Sequence, residues 1–180
     1  MAENSIEKLP IEDLHSTFLA ALGSAVVSFS DIGTKPLEVD LSNPLPPKLR
    51  VYMYNATYPP GGRTMGEHKI QLIVPGQARY ERGNFDGSAG RIPLLVGYRA
   101  DLQIFMLWDA ELYVNFSYSR NVQIMPETVY EGFAQGIAKQ QRSLWTSDKE
   151  IVIASDARHL AKAILERQKE TLSRLLGENV

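Results

Sequence analysis

Apolar residues recur every three or four positions in three stretches of the chain, and this spacing predicts three helices. The first is expected over residues 10–27 and begins at Pro10, a residue type that suits the first turn of a helix. The second is expected over residues 126–142, and the third runs from a capping Ser155 to about Leu176. The helices therefore fall at the amino terminus, in the middle and at the carboxyl terminus.

Between these helices, apolar residues alternate with polar ones or form short unbroken runs, which is typical of β-strands. Strands are predicted at residues 37–41, 48–57, 69–74, 92–99, 102–108, 112–116, 121–125 and 150–154. The first should lie at a sheet edge, because prolines surround it. The runs 92–99 and 102–108 are almost entirely apolar and should form a central hairpin. The order of elements predicts an α+β fold, with a curved, mainly antiparallel, pseudo-barrel-like sheet and flanking helices.

The length of 180 residues predicts a single domain. Within it, residues 1–47 form a helical, acidic segment, residues 48–155 the sheet core and residues 156–180 the carboxyl-terminal helix. The chain has no cysteine, which excludes disulfides, thiolate metal sites and cysteine nucleophiles. It also has no leader pattern and no apolar run of the roughly 20 residues that span a bilayer. We therefore expect a cytoplasmic protein with no membrane partner.

Charge is distributed unevenly along the chain, although the net charge is only −2. Residues 1–45 carry 2 basic and 7 acidic side chains, whereas residues 46–142 carry 11 basic and 8 acidic ones. The middle of the chain is thus the net positive part, and an anionic partner should dock there.

Two segments of this positive part carry side chains suited to duplex DNA. The loop 77–91 is glycine-rich, has no periodic pattern and contains arginines of the kind that clamp phosphates. The polar interval 117–123 combines Arg, Asn and Gln, which bind base edges, with a tyrosine that can stack on a base. The predicted DNA-binding residues are Arg63, Lys69, Arg79, Arg82, Asn84, Arg91, Tyr118, Ser119, Arg120, Asn121, Gln123 and Arg142. Each of them taken alone is more typical of a solvated surface side chain, and DNA binding is favoured because together they fall in the net positive part of the chain.

A nuclease is the first alternative. Asp40 precedes a Glu67-x-Lys69 motif, and two carboxylates with a lysine can hold Mg²⁺ and activate water for phosphodiester cleavage. A solvated strand end explains the same short motif. We therefore expect no catalytic residue, metal or cofactor in this chain.

A protein-interaction or oligomerisation module is the second alternative. The carboxyl-terminal helix is amphipathic and carries the pairs Lys162/Glu166 and Glu170/Arg174 four residues apart. Such pairs are also common on helix faces that only contact water.

Several spaced motifs in residues 50–155 resemble a known family. They are Gly62-Arg63, Glu67-His-Lys-Ile-Gln71, Leu94-Leu-Val-Gly-Tyr98, Ile104-Phe105, Trp108-Asp109, Phe116-Ser-Tyr-Ser119 and Val122-Gln123. This pattern is similar to the amino-terminal target-recognition domain of HNH-type restriction endonucleases. The resemblance implies a DNA-recognition module of a restriction system whose nuclease domain or subunit lies elsewhere. Apart from the resemblance, we expect duplex DNA as a partner and allow for a homo-oligomer.

Overall fold

The computed structural model describes residues 7–57 and 68–178. Its helices are α1 (Ile11–Leu22), α2 (Pro126–Gln135) and α3 (Leu160–Leu175). Its strands are β1 (Val26–Phe29), β2 (Leu37–Leu41), β3 (Lys48–Asn55), β4 (His68–Leu72), β5 (Arg82–Gly83), β6 (Ile92–Arg99), β7 (Ile104–Trp108), β8 (Phe116–Ser117), β9 (Arg120–Ile124), β10 (Ile137–Ser143) and β11 (Lys149–Ser155). The predicted α+β class is confirmed.

Seven strands form the main sheet in the order β1-β2-β3-β6-β7-β11-β10. All neighbours are antiparallel except β3 and β6, which run parallel. The predicted hairpin of β6 and β7 is present near the centre, where both strands are buried. The prediction that 37–41 forms an edge strand is wrong, because β1 pairs with β2 on its outer side.

The sheet is covered on both faces, so its central strands are apolar on both sides. One face packs under α1 and α3 around residues such as Phe18, Val51 and Ile164. The other face carries α2 and two short two-stranded ribbons around Ile70 and Trp108. The result is a layer of helices, a sheet and a layer of ribbons with one helix.

The two ribbons replace part of the predicted sheet. β4 pairs with β9, and β5 pairs with β8, each as a separate antiparallel pair. The predicted strands 112–116 and 121–125 therefore do not extend the main sheet. Over the described residues the sheet is open, and no closed barrel forms.

The predicted helix 126–142 is wrong in its second half. Gly136 has φ 91°, a left-handed conformation that ends α2, and its N–H donates to the Gly132 carbonyl. The chain then enters β10, which pairs with β11 along its whole length. Arg142 consequently lies on a strand and not at the end of a helix.

The first helix is also shorter than predicted. Gly23, with φ 54°, follows the end of α1, and Val26 already pairs with Leu41. At the third helix, Ser155 is the last residue of β11 and does not act as the cap. Asp156 takes that role, because its carboxylate accepts the N–H of His159 ahead of α3.

A buried cluster of charged side chains connects α3 to the end of β7. Asp109 is 2% exposed and accepts from Arg174 Nε at 2.9 Å, and Arg167 Nη2 lies 3.5 Å from the same oxygen. Glu150, fully buried, accepts from the Tyr113 hydroxyl at 2.7 Å and from the Asp109 N–H at 3.0 Å. Burial raises the pKa of the Glu150 carboxyl and lowers that of the Arg167 guanidinium.

Candidate nucleic-acid interface

The β4–β9 ribbon presents a polar row away from the core. Side chains alternate between the two faces of a strand, so the burial of Ile70 and Leu72 in the core sends their neighbours to the outer face. In the register of the ribbon, Lys69 lies opposite Gln123 and Gln71 lies opposite Asn121. We call these four residues, Lys69, Gln71, Asn121 and Gln123, the outer row.

The outer row combines accessible amides with one enclosed lysine. Gln71 and Asn121 are exposed, Gln123 is half-buried, and Lys69 is only 7% exposed. Lys69 Nζ donates to Asn121 Oδ1 at 3.4 Å, so the lysine orients a neighbouring amide across the ribbon.

One backbone carbonyl of the ribbon accepts hydrogen bonds from two side chains of the main sheet. The Gln123 carbonyl accepts from the indole N–H of Trp108 at 3.0 Å and also from the Arg142 guanidinium. Arg142 Nε lies 3.8 Å from a carboxylate oxygen of the buried Glu150. Arg142 therefore joins the ribbon to the buried charged cluster.

The β5–β8 ribbon carries part of the predicted phosphate-binding loop. Arg82 is exposed, lies opposite Ser117 and donates to the Asn115 carbonyl at 3.4 Å. Asn84 and Asn115 exchange two hydrogen bonds, of 2.8 and 3.1 Å. The loop is thus held in one shape, while the Arg82 guanidinium stays accessible.

The turn between β8 and β9 completes this side of the molecule. Tyr118 is 37% exposed, and Ser119 adopts φ 60°. The Arg120 guanidinium lies 5.2 Å from the centre of the Tyr113 ring, an arrangement that stabilises the cation through the ring face. In the loop 77–91, Arg79 is exposed and Tyr80 is 96% exposed.

Arg91 differs from the other candidate residues because carboxylates surround it. Its guanidinium lies 3.3 Å from Glu38 and 2.9 Å from Asp40. Arg50, which the sequence analysis did not single out, pairs in the same way with Glu38 and Asp86. These two arginines hold the loop 77–91 against β2 and β3.

The residues of the nuclease hypothesis are divided between two sheets. Asp40 belongs to β2 and pairs with Arg91, whereas Lys69 belongs to β4 and contacts Asn121. Glu67 and Arg63 lie outside the described residues. Within residues 7–57 and 68–178, no group of three or more His, Asp or Glu side chains is arranged to hold a metal ion.

The charge of the strands and loops that build this side favours an anionic partner. Residues 68–91 contain four Lys or Arg and two acidic residues, and residues 116–125 contain Arg120 and no acidic residue. Gln71 of the outer row is not among the residues predicted from the sequence. The alternation of Gln71 with the apolar residues Ile70 and Leu72 on one strand is the pattern that could have identified it as an outward-facing residue.

A comparison with known protein families finds a match to this chain. A family model described as Methylase-associated X1 matches residues 47–164, about two thirds of the chain, a range that includes both ribbons. No curated protein and no solved structure matches the chain. Among the described residues, no helix has the length and apolar character needed to cross a membrane.

Proposed function

The chain belongs to the Methylase-associated X1 family, and on that premise we propose that it is a duplex-DNA-binding recognition module of a restriction–modification system. The family description supports a setting in which a methylase works beside this chain. The HNH-type nuclease domain or subunit that the sequence resemblance implies stays a prediction.

The outer row of the β4–β9 ribbon is the observation that carries the proposal. The major groove of B-DNA is about 12 Å wide and admits a two-stranded β-ribbon. The two strands of a ribbon are about 4.8 Å apart, so the pair fits that width with its side chains. A ribbon with exposed amides and no acidic residue on its outer face is suited to this groove.

The loop 77–91, which includes strand β5, supplies the contacts to the DNA backbone in this proposal. Arg79 and Arg82 are exposed, and within the described part of the chain neither has a carboxylate partner. Their guanidinium groups are accessible and can neutralise phosphates beside the groove. Arg91 has a different role in this proposal, because its carboxylate partners compete with phosphate.

Binding of labelled duplexes measured by fluorescence anisotropy tests this proposal. We expect binding at roughly 50 mM salt, with or without Mg²⁺. The variant Arg79→Ala/Arg82→Ala should bind more weakly to every duplex, since phosphate contacts carry no sequence information.

Arg158→Ala is the control for the other face of the sheet, because Arg158 lies next to α3, has an 85% exposed side chain and pairs with Asp156. It should bind as the unchanged protein does. Absence of binding to all plain and base-modified duplexes would refute the proposal. Mg²⁺-dependent cleavage that Glu67→Gln abolishes would instead establish the nuclease alternative.

A further inference from the structure

We propose that the outer row reads adenine bases in the major groove, so that the DNA target contains A·T pairs at the positions under the β4–β9 ribbon. This inference rests on the proposed function and adds the class of base that the site recognises. Gln71, Asn121 and Gln123 are the reading residues, and Lys69 positions Asn121.

The chemistry of the row selects adenine over the other bases. An Asn or Gln amide can accept from the adenine N6 amino group and donate to N7 at the same time. Guanine is usually read by Arg, and cytosine by a carboxylate. The outer row contains three amides, no arginine and no carboxylate, while Arg120 on the same strand is turned to the Tyr113 ring.

The spacing of the amides matches the spacing of base pairs. Residues two apart on a strand are about 6.7 Å apart, because each residue rises about 3.3 Å. Successive base pairs are about 3.4 Å apart, so two steps cover the same distance. Asn121 and Gln123 can therefore meet base pairs two steps apart, with Gln71 beside Asn121 on the paired strand.

The row is fixed in position before DNA binds. Ile70 and Val122 anchor the inner face of the ribbon in the core, and the Gln123 carbonyl is held by Trp108 and Arg142. The bond from Lys69 takes up one lone pair of Asn121 Oδ1, which leaves the amide N–H groups and a second lone pair for a base. A rigid support of this kind keeps the geometry that paired hydrogen bonds require.

Selection of bound duplexes from a randomised pool, followed by replacement of single adenines with 7-deazaadenine, tests this inference. The analogue lacks the N7 acceptor but leaves base pairing and the minor groove unchanged. We expect the selected pool to be enriched in adenine. A 7-deazaadenine at a contacted position should weaken binding by about 2- to 12-fold, because it removes one of the two hydrogen bonds of the pair.

Asn121→Ala and Gln71→Ala, both at exposed positions, should each become insensitive to one such replacement. Arg82→Ala is the control: it should bind more weakly yet keep its sensitivity to every replacement. If duplexes bind but 7-deazaadenine has no effect, or if the pool is enriched in G·C pairs, the adenine inference is refuted and the proposed function stands. If no duplex binds at all, both are refuted.

Discussion

Replacing Asp109 with Asn tests the buried charged cluster that holds α3 on the sheet. The substitution keeps the shape of the side chain but removes the charge that faces Arg167 and Arg174. Two guanidinium groups, of which Arg167 is 4% exposed, then lose their ion pair with Asp109. The expected result is a large loss of stability, because the burial of an unpaired charge is costly.

The expected loss of stability depends on the interactions that each arginine keeps in the Asp109→Asn variant. Removal of one partner of a buried ion pair costs about 3–5 kcal/mol. Arg167 keeps its bonds to the Ile151 carbonyl and the Thr171 hydroxyl, and the Arg174 side chain, 19% exposed, can turn toward water. We therefore expect the lower end of the range, about 3 kcal/mol in the free energy of unfolding.

Urea denaturation followed by circular dichroism measures this change. With a slope of about 2 kcal/mol per molar urea, the midpoint should fall by about 1.5 M and the slope should stay the same. Glu166→Gln is the control on the same helix, because Glu166 pairs with the exposed Lys139, which also contacts Glu170. That variant should change the free energy of unfolding by about 1 kcal/mol or less.

A loss of under about 1 kcal/mol for Asp109→Asn would refute the reasoning, because such a value is typical of exposed ion pairs. The double variant Asp109→Asn/Arg174→Met should recover part of the loss, since it removes one of the unpaired charges. A double variant less stable than Asp109→Asn alone would show that charge burial is not the cause.

Two further predictions concern packing and pH. Gly97→Ala should lower the free energy of unfolding by about 1–3 kcal/mol, because the added Cβ would lie 2.8 Å from Trp108 and 2.9 Å from Ile70, where the ribbon meets the sheet. Urea denaturation measures this change, and an unchanged midpoint would contradict the prediction. Burial lowers the pKa of Lys35 to about 7 in the folded chain. Between pH 7 and about 10 the unfolded chain therefore binds more protons than the folded chain. The free energy of unfolding should rise over this range. Lys35→Met should remove this rise in a series of denaturation curves, and an identical pH dependence in both proteins would count against the assignment.

The central hairpin and α3 could be predicted because their signals are local. The apolar runs of β6 and β7 and the short connection between them specify a buried hairpin. The spacing of Leu160, Ile164 and Leu172 likewise specifies the helix α3.

The switch from helix to strand after Gly136 could not be predicted from periodicity. Ile137 falls on the same helical stripe as Val129 and Phe133, so the pattern continues across the boundary. The strand forms because residues 137–143 pair with β11, a tertiary contact that the local pattern does not contain.

The site was predicted as separate segments, and its assembly came only from the fold. Lys69 and Gln123 are distant in the sequence, and the pairing of β4 with β9 makes them neighbours. The same holds for Arg91, whose carboxylate partners lie on β2. Residue type and charge identify candidates, whereas strand pairing decides which of them share a surface.

The dependence of DNA affinity on salt tests the central claim most directly. Each phosphate that the protein neutralises adds about 0.9 to the slope of log affinity against log salt concentration. We predict that Arg82→Ala reduces this slope by about 0.9, whereas Arg158→Ala on the opposite face leaves it unchanged. Equal slopes for both variants and the unchanged protein would contradict the claim that the ribbon side of the sheet contacts DNA.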